Sequence, residues 1–327
     1  MNWLTPIRRV AVTAATAWLT AVGAHAEAPA ASAPSDCPPT ARALTPEQAE
    51  AGQRDARDRG FLWRVTRGGK SSYLFGTIHV ATWPWMFPGP TVAQALKESD
   101  TVALELDLLD PDILRRMRAG MQARRDAPLP AALRDRLRRQ MADACIAPEA
   151  LAGMGPALQV ATLSMLAGRR DGLDAAYGID NFLAGFARGA GKRVVSLESP
   201  ELQLQALEPT DAAGTEEMVE SGLADLESGR ARPLLRRLAM IWAESDEAEL
   251  TGYESWCECT RTAADRAMLK RLLDDRNPDL AAAVDTLHRS GSRVFAAVGS
   301  LHMIGPKGLP ALLAARGYVV ERVSFAR

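Results

Sequence analysis

The chain has 327 residues, 39 basic and 40 acidic side chains, a formal charge of −1, and 47 % apolar residues. A chain of this size can bury a substantial core without covalent staples. Its near-neutral balance argues against a nucleic-acid partner, which asks for a basic face.

The first 26 residues read as an export signal. Arg8 and Arg9 precede an apolar run from Val10 to Ala24, and Ala24-His25-Ala26 offers a small-x-small cleavage pattern. The run is too short for a membrane span, which takes roughly 20 apolar residues. No later stretch is long and apolar enough either. A periplasmic or secreted protein without a transmembrane anchor is expected, with a formal charge of −3 once Arg8 and Arg9 are gone. Residues 27–60 are expected as a flexible lead-in, rich in Ala, Pro and Ser at their start. Residues 61–327 are expected to form one domain.

From Phe61 the texture changes. Phe61-Leu-Trp-Arg-Val and Tyr73-Leu-Phe-Gly-Thr-Ile-His79 read as strands joined at Gly68-Gly69, a hairpin signal. Thr101 to Asp107 reads as a third strand, with Val102, Leu104 and Leu106 on one face and Ala103, Glu105 and Asp107 on the other. Further strands are expected at Arg193–Leu197, Arg293–Val298 and Tyr318–Val323. Helical spacing fills Asp110 to Gly191, broken at Pro130, Pro148 and Pro156, and again about Pro200 to Ser290. Asn277-Pro278 reads as a helix cap followed by proline at the first helical position. This order implies an α/β fold: a mostly parallel central sheet, flanking helices, and a large helical insertion.

Cys37, Cys145, Cys257 and Cys259 make an even set, which in an exported chain favours disulfides. A ring closed over one residue is strained, so Cys257 and Cys259 are expected to pair separately with Cys37 and Cys145. A metal role for Cys257-x-Cys259 is weaker, since no nearby ligands complete a set of four.

After signal removal three histidines remain, and two share a context. Leu74-Phe75-Gly76-Thr77-Ile78-His79 and Ala297-Val298-Gly299-Ser300-Leu301-His302 each run an apolar strand into Gly-x-x-His. Ligands bind at the carboxyl ends of strands in open α/β sheets. Two imidazoles delivered there can ligate a metal or move protons. His288, near a helix end where a histidine suits the dipole, is assigned no role. Glu105 has no place in a Leu/Val core and is expected to face a crevice, as metal ligand or general base. Pairing with an arginine is the plain alternative. Asp107 shares that face and ranks lower. Trp83-Pro-Trp85 and Phe87-Pro-Gly-Pro90 read as a packed loop or as the floor of a substrate pocket.

Gly76-x-x-His79, Glu105-Leu-Asp107, Tyr177-Gly-Ile-Asp180, Leu197-Glu198, Arg276-Asn277 and Gly299-x-x-His302 occur in one order along nearly the whole mature chain. That order resembles the TraB/PrgY/GumN family, which is similar to the Tiki metalloproteases and more distantly to the ChaN and erythromycin-esterase group. The resemblance implies a ChaN/erythromycin-esterase-like fold and a metal-dependent hydrolase. A divalent transition metal (manganese, cobalt or zinc) is implied on His79, His302 and Glu105. Asp180, Glu198 and Asn277 fall on other motif positions and are implied as substrate-binding residues. Read from the chain alone they are a helix cap, a strand-end carboxylate and another cap. A peptide is the first substrate class. A non-enzymatic haem-, metal- or peptide-binding envelope protein is the alternative.

Overall fold

The structure is a computed structural model and describes residues 37–209, 211–260 and 262–326. The expected signal segment 1–26 and the start of the lead-in lie outside these residues. From Cys37 on, the described part of this segment carries one helix, Pro46–Arg54. Thr45 closes a capping box with Gln48 on the helix Pro46–Arg54, and Leu44 and Ala49 enter the core. A reciprocal cap and two buried apolar residues offset the ordering entropy of so short a segment.

Six strands form one sheet: β1 (Phe61–Arg67), β2 (Lys70–Thr77), β3 (Thr101–Leu104), β4 (Arg193–Ser196), β5 (Val294–Gly299) and β6 (Val319–Val323). Their order is β4-β3-β5-β2-β1-β6. The inner run β4, β3, β5 and β2 is parallel, whereas β1 is antiparallel to both β2 and β6. The sheet is therefore mixed, and parallel only in part. The β1–β2 hairpin turns at Gly68 and Gly69, at φ 59° and 73°, so both need the left-handed freedom of glycine. Leu62, Leu74, Val102 and the whole of Phe295–Val298 are fully buried. Both sheet faces are thus covered, as continuous apolar strands require.

Register fixes the site. β5 lies between β3 and β2, with Thr77 opposite Gly299 and Leu104 opposite Ala297. The carboxyl ends of three neighbouring parallel strands therefore stop at one edge. The third strand ends at Leu104, earlier than expected, and Glu105 follows in a bend. Its direction is set by that bend and not by strand alternation.

Helices occupy the long connections after β3 and β4. Leu129, Leu133, Leu137, Met141, Leu151, Val160, Leu163, Val219 and Leu223 give them a small core of their own. Trp242, on the helix Ala231–Glu244, keys this layer to the sheet: its ring is buried and Nε1 donates to the Gly76 carbonyl at 2.8 Å. Among the described residues no helix is long and apolar enough to cross a membrane.

The disulfides are Cys37–Cys145 and Cys257–Cys259, which overturns the expected cross-pairing. Glu258 adopts φ +56°, and this left-handed step brings the two neighbouring Cα atoms to 5.1 Å, within bridging range. By loop-closure entropy the bridge spanning 108 residues contributes about 4.7 kcal/mol and the one across Glu258 only about 1.5 kcal/mol.

Candidate active site

Both Gly-x-x-His motifs need glycine for proximity. A Cβ on Gly76 would lie 2.9 Å from Ser300 Oγ and 3.3 Å from Ser300 Cα. On Gly299 it would lie 3.2 Å from Glu105 Oε1, 3.6 Å from His302 Cδ2 and 3.7 Å from His79 Nε2. Three polar groups from three strand ends thus converge over the α-carbon of Gly299. The motifs also bond to each other, since Ser300 Oγ donates to the Thr77 carbonyl at 2.8 Å.

His79 sits at the rim with its side chain 57 % exposed. Its Nδ1 is 2.9 Å from Asp180 Oδ2, while Thr77 Oγ1 donates to Asp180 Oδ1 at 2.7 Å. Asp180 lies in the first turn of the helix Ile179–Gly189 but caps no backbone N–H. A carboxylate only accepts, so Nδ1 carries the proton and Nε2 faces the site. Desolvation lowers the His79 pKa, but the charge and hydrogen bond of Asp180 outweigh it and raise it to about 9.

His302 is 4 % exposed. Its Nδ1 lies 2.5 Å from Asn277 Oδ1, and Asn277 Nδ2 donates to the Lys307 carbonyl at 2.8 Å. That second bond fixes the amide, so His302 Nδ1 is the donor and Nε2 holds the lone pair. Arg276 Nη1 stands 3.3 Å from that Nε2. Desolvation, aided by Arg276, lowers the His302 pKa to about 4. Asn277 is therefore not the helix cap its sequence suggests. The helix Asn277–Arg289 has no side-chain cap, and the amide is committed to His302.

Glu105 is 5 % exposed. Oε1 accepts the Gly299 N–H at 2.8 Å, and Oε2 accepts from Arg276 Nη2 at 2.6 Å and stands 4.0 Å from His302 Nε2. Burial alone would raise its pKa, but His302, Arg276, His79 and the Gly299 N–H hold it well below the usual carboxylate range. Glu198 takes the other side of the same guanidinium, at Nη2 and at Nε (3.0 Å), and accepts from Gln203 Nε2 at 3.2 Å. Burial pushes its pKa up despite Arg276. Asp180, Glu198 and Asn277, expected at the substrate, thus spend their side chains on His79, Arg276 and His302.

Arg276 was missed from the sequence, although it adjoins Asn277 in a quoted motif. A buried guanidinium bridging two glutamates is a tertiary fact, and the adjacency was the only signal. Asp107 turns away to Arg188. His288 is structural. Its Nε2 donates to the Arg67 carbonyl at 3.2 Å, so Nδ1 accepts from Ser72 Oγ at 2.8 Å, and Ser72 Oγ in turn accepts the Val294 N–H. Burial lowers the His288 pKa. Trp83 and Trp85 form a short 3₁₀ turn packed against Phe87 and Trp242.

Does the cluster suit a divalent cation? Both imidazoles have Nδ1 committed to an acceptor, which orients Nε2 as in histidine metal sites. Glu105 and Glu198 face Arg276, while Asp180 faces His79, which is protonated at neutral pH. A dication would have to displace the His79 proton to use its Nε2. No group of three His, Cys, Asp or Glu among the described residues already stands as a metal cage. Glu105 Oε2 is taken by Arg276 Nη2 at 2.6 Å, so a cation would compete with the guanidinium for that oxygen.

No curated protein and no solved structure matches the chain. The family model described as TraB/PrgY/gumN matches residues 61–322, most of the chain and every residue of the site. The chain belongs to the TraB/PrgY/gumN family.

Proposed function

We propose that this protein is an exported metal-dependent hydrolase, with peptides as the first substrate class. His79, His302 and Glu105 would hold a divalent transition metal, manganese, cobalt or zinc. The observation that carries the reading is the anchored pair of imidazoles, each with Nδ1 fixed and Nε2 turned toward Glu105. Such an ion, when bound, polarises a scissile carbonyl and makes water a nucleophile at neutral pH. The chain's own residues supply the rest. Glu105, ionised at neutral pH, serves either as the third ligand or as the base that takes a proton from the attacking water. Asp180 and Asn277 hold the imidazoles in one tautomer. Glu198 retains Arg276 when Glu105 lets it go, leaving the guanidinium beside the reaction to stabilise developing negative charge. The paired cysteines and the signal-like start support export.

One observation favours a second reading. Arg276 already places a cation within 2.6 Å of Glu105 and 3.3 Å of His302. The same residues can therefore run acid–base hydrolysis without a metal, with His79 as the acid. Elemental analysis after loading with manganese, cobalt or zinc separates the readings. About one equivalent in wild type, absent from a folded His79→Ala/His302→Ala variant, supports the first. Metal-free protein with unimpaired peptide hydrolysis supports the second. Saturable binding of haem or peptide with no turnover would refute both in favour of a binding protein.

A further inference from the structure

The two disulfides differ in what they do for the fold. Cys37–Cys145 joins residues 108 apart, while Cys257–Cys259 spans two. Loop-closure entropy grows with the logarithm of loop length, so the short ring constrains the unfolded chain little. It also obliges Glu258, not a glycine, to sit at φ +56°. Left-handed backbone is unfavourable for such a residue, and opening the ring would release it.

The flanks do not depend on the bridge. Before it, Trp256 is held by its Nε1 bond to the Glu249 carbonyl at 2.9 Å and by Arg237 stacked 4.2 Å from its ring centre. After it, Thr262 and Asp265 close a capping box on the helix Ala263–Leu269. Reduction would thus be local, changing the turn and not the elements it joins.

The geometry also distinguishes the sulfurs. Cys257 is 3 % exposed, whereas Cys259 is partly open. The backbone N–H of Cys259 lies 3.1 Å from Cys257 Sγ, placed to stabilise a thiolate there. We propose that Cys257–Cys259 is an exchangeable disulfide, reduced by an external dithiol while Cys37–Cys145 stays closed.

In the exchange, one thiolate of the dithiol attacks Cys259 Sγ. The S–S bond breaks and its electron pair leaves on Cys257 Sγ as thiolate. A mixed disulfide forms between the dithiol and Cys259. The second thiolate of the dithiol then attacks its own sulfur in that bond and releases Cys259 as thiolate. Overall two electrons and two protons pass to the protein, and the dithiol becomes a cyclic disulfide.

The test is a redox titration of the folded mature protein with reduced and oxidised dithiothreitol, quenched with a maleimide and mapped by peptide mass. Cys257 and Cys259 are expected to label together at a poise where Cys37 and Cys145 remain unlabelled and circular dichroism is unchanged. Glu258→Gly accepts the left-handed step, so it should shift the exchange constant about fivefold toward the disulfide. Opening of both bridges together, opening of Cys257–Cys259 only under denaturant, or no shift in the glycine variant would overturn the proposal.

Discussion

Gly299→Ala should disable the site while leaving the fold intact. Gly299 sits at φ −48° and ψ 138°, a conformation open to alanine. Removing glycine from the unfolded ensemble should therefore stabilise by about 0.4–1 kcal/mol. Against this, the new methyl would press Glu105 Oε1 at 3.2 Å, closer than carbon and oxygen comfortably sit. The carboxylate must retreat by a few tenths of an ångström. That stretches its 2.8 Å bond from the Gly299 N–H, and a hydrogen bond to a charged group is worth about 1.5–3 kcal/mol. His302 and His79 lie within 3.7 Å of the same methyl, so all three chemical groups move relative to one another. A misplacement of about 1 Å can cost about 100-fold in rate, so a loss of about tenfold or more in kcat/KM is expected. The assay is hydrolysis of the best fluorogenic peptide from a library screen, run beside thermal unfolding. Gly76→Ala is the contrast: its Cβ would strike Ser300 Oγ and press on Ser300 Cα, so about 1–3 kcal/mol of stability should go. Full activity in Gly299→Ala would refute the placement of the reacting groups over that α-carbon.

Arg276→Met should destabilise by about 3–5 kcal/mol, because Glu105 and Glu198 would be left buried without their common partner. Urea unfolding reads this, and a loss under about 1 kcal/mol would show that the guanidinium is dispensable. Imidazole NMR on the metal-free mature protein should resolve three titrations: His79 near 9, His302 near 4, and His288 below its ordinary 6.5. Since the folded His302 and His288 resist protonation, stability should fall as pH drops below about 6.5, levelling for His302 near pH 4. The His79 contribution has the opposite sign, present below 6.5 and lost as pH rises through about 9. Coincident titrations near 6.5 would contradict the assigned burial and partners. Cys37→Ser/Cys145→Ser should cost about 2–5 kcal/mol, and Cys257→Ser/Cys259→Ser markedly less, read by differential scanning calorimetry. Equal losses would contradict the entropic account.

The strands were legible because their apolar runs are continuous, and the hairpin because Gly68-Gly69 answers a backbone demand carried by two adjacent residues. The repeated Gly-x-x-His was legible as a pattern, since a strand, a glycine and a histidine at fixed spacing are all local. What joins the two copies is not local. Strand order puts β5 between β3 and β2, so residues over 190 apart meet at Gly299. The same long-range packing redirected residues that looked like caps. Asn277 and Asp180 have the chemistry of helix starts, but a histidine brought in from a neighbouring strand end competes better for their oxygens than the helix's own N–H groups do. Arg276 owes its role to two glutamates that only folding buries beside it. The cysteines teach the same lesson in reverse: a ring over one residue looks ruled out from sequence, yet it closes with Glu258 in a left-handed step. Periodicity and local backbone need are written residue by residue, whereas charge pairing and proximity depend on which strand ends the sheet places side by side.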